Sequence, residues 1–240
     1  MAQYFVIDQI EIDHDGPVAN GPRIFRKKIK KQLIHLSQGS IDGACGPYCI
    51  MMALLICGLI DRDDLVCLRS IDGRTNPGKL VNLLQEYQGL FRNGTNTVDL
   101  KKMLIASYSK KLVVFDPEDD GLESDIRKFV KKHLDNNHPV ILWLKYPKSK
   151  GHWVVAIGYE YMEPLTSKLN TKDNDDESAL RASRKPLRFL LLDPDDDGPT
   201  ISAWNGVVDA VGTKGSYPFI WWGDNNKVKF HSALALSPKK

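Results

Sequence analysis

What the chain lacks narrows it first. No C-x-x-C pair occurs: Cys45, Cys49, Cys57 and Cys67 are spaced by four, eight and ten positions. That spacing speaks against a zinc site, and neither a metal centre nor a cofactor is expected. Cys45, Cys49 and Cys57 fall on one stripe of a helix, where two of them cannot be ideal disulfide partners, so a reducing compartment is the simpler expectation. Charge of either sign is scarcely in excess, with 33 basic against 30 acidic side chains and a formal net charge of +3. That gives no electrostatic case for nucleic acid. The one basic run, Arg26 to Lys31, reads as a solvated strand or loop face. Long apolar runs are missing too. The longest, Cys49 to Ile60, is too short to span a bilayer and reads as a buried helix, so no membrane association is expected. The N-terminus "MAQYFVIDQIEIDHDG" has no basic start followed by an apolar stretch, hence no secretory signal. The expectation is a cytoplasmic protein, or one delivered to a target cell without a conventional signal peptide. No internal repeat is evident.

What is present is an ordinary globular composition, 42% apolar and 26% charged. "YFVIDQIEI" alternates like a strand. From Cys45 an apolar helix runs to near Asp61. "NPGKLVNLLQEYQGLF" and "NTVDLKKMLIASY" have helical spacing, the latter with Thr97 as cap. "KKLVVF" is a short strand. "ESDIRKFVKKHLDNN" is a helix with acid early and base late, as the helix dipole favours. Three strand-length apolar runs follow, "PVILWLKY", "HWVVAIGYEY" and "LRFLLLDP". Two more, "YPFIWW" and "KVKFHSALAL", lie near the C-terminus. Helices first and an antiparallel sheet after give an α+β class. Residues 1–37 read as an N-terminal extension, 38–240 as the main domain, and 163–186 as a mobile polar insertion within it. Its Lys168 to Arg184 stretch is the expected first site of tryptic nicking.

One stretch carries the chemistry. In "QGSIDGACGPYCIMMALLICGLI" a glycine-rich loop enters the apolar helix with Cys45 at the junction. Unpaired N–H groups and the positive end of the helix dipole favour thiolate there, and thiolate is the nucleophile. A thiol nucleophile needs a base, a group that orients the base, and donors for an oxyanion. His152 opens an apolar strand after the polar turn "KYPKSKG", a position suited to a cleft. Asp193 ends the next run, where a carboxylate can accept from the imidazole; Asn205 is the first alternative orienter. Gln38 offers an amide donor that could form an oxyanion hole with the Cys45 N–H. His133 and His138, at the end of a charged helix, read as cationic structural histidines, while His14, His35 and His231 have no distinctive context.

Taken in order, "Q…CGPYCIMMAL", "NNHPVILWLK", "GHWVVAIGYE" and "LLLDP" resemble the papain-like cysteine peptidases. The nearer similarity is to the bacterial branch with the double-glycine leader peptidases of bacteriocin exporters. The resemblance spans Gln38 to Pro194, with one residue more between Gln38 and Cys45 than in that family. It implies a papain-like fold, an N-terminal helical part whose buried helix carries the cysteine, packed on a C-terminal antiparallel sheet. It also implies a thiol peptidase with Cys45 as nucleophile, His152 as general base and acid, Asp193 as orienting group and Gln38 as oxyanion donor. The partner would be a protein or peptide substrate, with an inhibitory or immunity protein possible. The same triad suits a deamidase or other acyl-transfer toxin or effector, and a catalytically silent binding module is a third reading. "DPDDDGPTISAW", Asp193 to Trp204, partly imitates a calcium loop, but Trp204 stands where a glutamate is needed and Pro199 interrupts it.

Overall fold

The computed structural model of the chain describes residues 2–12, 21–26, 29–38, 44–66, 72–86, 94–123, 125–147, 151–162, 180–199, 202–221 and 224–239. Strand β1 (Ala2–Val6) is followed by β2 (Ile10–Ile12), β3 (Pro22–Arg26) and β4 (Ile29–Leu33). The helices come next: α1 (Cys45–Cys57), α2 (Arg62–Val66), α3 (Asn76–Glu86) and α4 (Thr97–Tyr108). After β5 (Leu112–Phe115) and α5 (Ile126–Asp135) the chain is strands: β6 (Val140–Lys145), β7 (Gly151–Met162), β8 (Pro186–Leu192), β9 (Gly206–Asp209), β10 (Tyr217–Trp221) and β11 (Asp224–Pro238).

Six of these strands close on themselves in the order β7-β6-β11-β10-β9-β8, with β8 returning to β7 and every pairing antiparallel. The expected papain-like α+β arrangement, helices packed on an antiparallel sheet, is therefore overturned by a closed barrel. Strand length is the reason. β7 has 12 residues, enough to bond β6 through Gly151 to Ala156 on one edge and β8 through Val155 to Tyr161 on the other. Four-residue β9 then supplies the rung that joins β8 to β10. Closure leaves the barrel strands without the open edges of a flat sheet. Register shifts at Ala156/Gly158 and Phe230/Ser232 bend the long strands as bulges do.

The N-terminal extension is built into the same unit. β1 pairs with β7 at Gly158 to Met162, prolonging the edge that β6 covers, and Ile7 and Ile34 are fully buried in the common core. β2, β3 and β4 form a separate three-stranded sheet. Of the polar insertion, 163–179 lies outside the described residues; in its remainder, Arg181 and Arg184 sit over the rings of Phe5 and Tyr161. The side chains of the basic run, 26–31, also lie outside them.

Helix α1 is apolar, and ten of its 13 residues are buried against the barrel and α4, which leaves only Cys45, Tyr48 and Met51, three positions apart on one side, partly exposed. It stops at Gly58, whose φ of 61° only glycine adopts cheaply, and the Gly58 N–H closes back on Leu54 and Leu55 carbonyls. The end thus comes before Asp61. Helix α4 is capped by Asn96, not Thr97: the Asn96 side chain accepts from the Asp99 N–H at 2.9 Å, while the Thr97 hydroxyl meets Ser232. The physical reason is that a cap needs extended backbone, which Asn96 has at φ −102°, ψ 167°.

Candidate functional site

Cys45 is the first residue of α1 and is half-buried. No side chain caps this helix end, and its first turn holds no acid. Gly46, next along, is there for space. A Cβ at this position would lie 2.0 Å from the Thr95 hydroxyl oxygen and 3.2 Å from the Trp153 ring. Trp153 in turn donates its indole N–H to the Thr95 carbonyl at 3.0 Å, tying β7 to the segment before α4, and the start of α1 packs against both at Gly46.

The residue before Trp153 is His152, 7% exposed, at the start of β7. Its Nε2 and the Asp193 Oδ1 are 2.6 Å apart, and Asp193 is wholly buried just beyond the end of β8. Since Nε2 is spent on Asp193, Nδ1 is the nitrogen left for Cys45, with which His152 also hydrogen-bonds. Burial by itself pushes this imidazole toward neutrality. The Asp193 carboxylate, seconded by Cys45, more than reverses that and holds it up at about 10. One helix turn on, Cys49 is its opposite: buried and facing the charges of Cys45 and Asp193, its thiol is pushed well above the usual range.

Asp193 is held from behind. Asn205 accepts from the Asp193 N–H through Oδ1 at 2.7 Å, and its Nδ2 donates to the Asp193 carbonyl at 2.8 Å and the Asp197 carbonyl at 3.0 Å. Both amide hydrogens are then used. His35 accordingly carries its proton on Nε2 and donates it to the same Asp193 carbonyl at 2.8 Å. Burial pushes His35 downward, so it sits there neutral. Asp193 Oδ1 also accepts from the Asp195 N–H at 2.9 Å, which tightens the turn.

The structure thus brings Cys45, His152 and Asp193 together. Gln38 reaches the same turn by a different contact. Its backbone N–H donates to the Pro194 carbonyl at 2.7 Å and its Nε2 to Asp195 Oδ1 at 2.8 Å, while its Oε1 is buried without a partner. Asn205 is beside Asp193 rather than in its place. His35, which had no distinctive sequence context, is part of the site; its contact to Asp193 crosses 158 positions, and no local pattern could have signalled it. His133 and His138 are not the cationic helix-end pair the sequence suggested. His133 donates to Asp120, the two rings meet through Nδ1 at 3.1 Å beneath Phe115, and burial pushes His138 down to about 4. His14 and Cys67 lie outside the described residues, and His231 is exposed on β11.

Among the described residues no group of three or more His, Cys, Asp or Glu side chains is placed to hold a metal ion. In the turn that imitates a calcium loop, the Asp193 and Asp197 carbonyls point at the Asn205 amide, a donor where such a loop has its cation. No helix among the described residues is long and apolar enough to cross a membrane. A thiol beside an imidazole that is oriented by a buried carboxylate can pass its proton to that imidazole and regain it. No family model, no curated protein and no solved structure matches this chain.

Proposed function

We propose that the protein is a thiol hydrolase, a peptidase that cleaves a protein substrate through an acyl-enzyme. The observation that carries this reading is the contact series from Cys45 to His152 to Asp193, with one ring nitrogen for each neighbour. The Cys45 sulfur attacks the scissile carbonyl carbon, and a C–S bond forms as the carbonyl π electrons move to oxygen. His152 then gives its Nδ1 proton to the leaving amine as the C–N bond breaks. Water, deprotonated by the same nitrogen, attacks the thioester and releases the acid and the free thiol. The Cys45 N–H at the uncapped helix start is one donor for the oxyanion. Gln38 supplies the second: Asp195 takes one of its Nε2 hydrogens and leaves the other. The resemblance to double-glycine leader peptidases supports the same chemistry through motif order, not through the fold it implied.

The test is to incubate the protein and its Cys45→Ala variant with a proteome, map new N-termini and weigh intact products. The peptidase reading expects new N-termini that the variant produces at least ~100-fold more slowly, because the covalent route is gone. Products heavier by about one dalton and uncut would assign a deamidase instead. No change by either protein would leave a binding module.

A further inference from the structure

We infer that Asn205 is a positioning residue that acts through Asp193, fixing the carboxylate against His152 by holding both backbone groups of the aspartate. The inference rests on the functional reading above. The geometry is specific. A single side-chain amide receives the Asp193 N–H and donates to the Asp193 carbonyl, so the aspartate is gripped on both sides of its Cα. With both groups tied, rotation about the Asp193 backbone is blocked, and only the side-chain torsions remain. Of these, Oδ1 is fixed by the Asp195 N–H as well as by the imidazole.

The amide can take only one orientation here. Its oxygen must face the Asp193 N–H, and its nitrogen must face the Asp193 and Asp197 carbonyls. An acid of the same shape would set oxygen against oxygen at two of the three contacts. Asn205 is itself 7% exposed and fastened by its own N–H to the Leu191 carbonyl at 3.1 Å, so the clamp is mounted on the barrel wall. The asparagine is therefore built to hold an aspartate, not to fill space. Because Asp193 follows a strand while Pro194 cannot continue one, the turn needs such a holder where the chain leaves β8.

The experiment follows the ring of His152 by NMR in isotope-labelled protein, with His152→Ala identifying its signal. Wild type, Asn205→Ala, Asn205→Ser and Val208→Ala are titrated with pH, and each unfolding midpoint is measured. Val208 is a buried β9 residue, paired with Phe189 on β8, whose side chain has no polar group, so its truncation next to the clamp is a control for general loosening. In wild type the ring should titrate near 10. In Asn205→Ala the midpoint should fall by at least ~1 pH unit, because a displaced carboxylate supports the imidazolium less. Val208→Ala should lower the unfolding midpoint without moving the titration. With a substrate in hand, Asn205→Ala should lose at least ~10-fold in kcat with KM nearly unchanged. Should Asn205→Ala not fold, Asn205→Ser, which keeps a hydroxyl for one of the contacts, must show the same downward movement. A wild-type titration in a folded Asn205 variant, or an equal movement in Val208→Ala, overturns the inference. Since the ring is read directly, this outcome is separate from any failure of Cys45-dependent hydrolysis.

Discussion

Replacing Asp193 by asparagine keeps the side chain's shape and removes its charge, which isolates what that charge does for His152. In the folded protein the imidazole is held at about 10, against an ordinary value of 6.5. A folded value above the unfolded one means that protonated His152 favours folding. That contribution is complete below about pH 6.5, drains as pH rises and is lost above about pH 10. A rise of this size corresponds to about 5 kcal/mol at most. The carboxylate is the principal agent of the rise, with Cys45 adding to it, while burial opposes both. Urea unfolding of wild type and Asp193→Asn between about pH 6 and pH 10.5 measures the effect. Lysine, tyrosine and the other cysteines titrate in both proteins, so they cancel in the difference between the two stabilities. That difference should shrink by several kcal/mol, up to about 5, across the window. Two curves that stay parallel would refute the coupling between Asp193 and His152.

Two further outcomes test the surroundings of the thiol. With limiting iodoacetamide at neutral pH, Cys45 should alkylate well before Cys49 and Cys57, which are 0% and 2% exposed, and before Cys67; peptide mapping reads the order, and His152→Ala should slow Cys45 alone. Equal rates at Cys45 and Cys67, unaffected by His152→Ala, would make the thiol structural. Gly46→Ala should lower stability by roughly 1–3 kcal/mol in thermal melts, because the clash with Thr95 and Trp153 outweighs the ~1 kcal/mol that alanine gains in a helix. A variant as stable as wild type would show that Gly46 is not needed for the close approach.

The reach of the sequence depended on range. Helix α5 was readable because Phe129, Val130 and Leu134 recur at helical spacing, and β6, β7 and β8 because their apolar runs end in turn residues. Cys45 and His152 announced themselves through local contrast, a polar residue at the mouth of an apolar element. Closure of the barrel had no such signal. It depends on Val155 meeting Leu192 and on Val208 meeting Phe219, pairings set by twist and register rather than by composition. β9 is a "GVVD" too short to stand out. Asn205 and His35 are polar residues whose importance comes from partners 12 and 158 positions away. The amide of Gln38 is visible in the sequence, but no spacing signals its engagement with Asp195.

The deep burial of α1 has a consequence for how such a protein can change. A helix packed around most of its circumference, with only Cys45, Tyr48 and Met51 partly exposed, cannot slide or turn without opening a void on one side and a collision on another. Its sulfur is therefore a fixed datum, and the histidine strand is held beside it by Trp153, which packs against Gly46. Adaptation has to enter where side chains reach solvent, and the stretch from Asp195 to Gly198, a partly exposed turn and irregular chain beside Gln38, is such a place. In a random library of this gene, the chains that still fold should carry substitutions concentrated there, while α1 yields mostly chains that never fold.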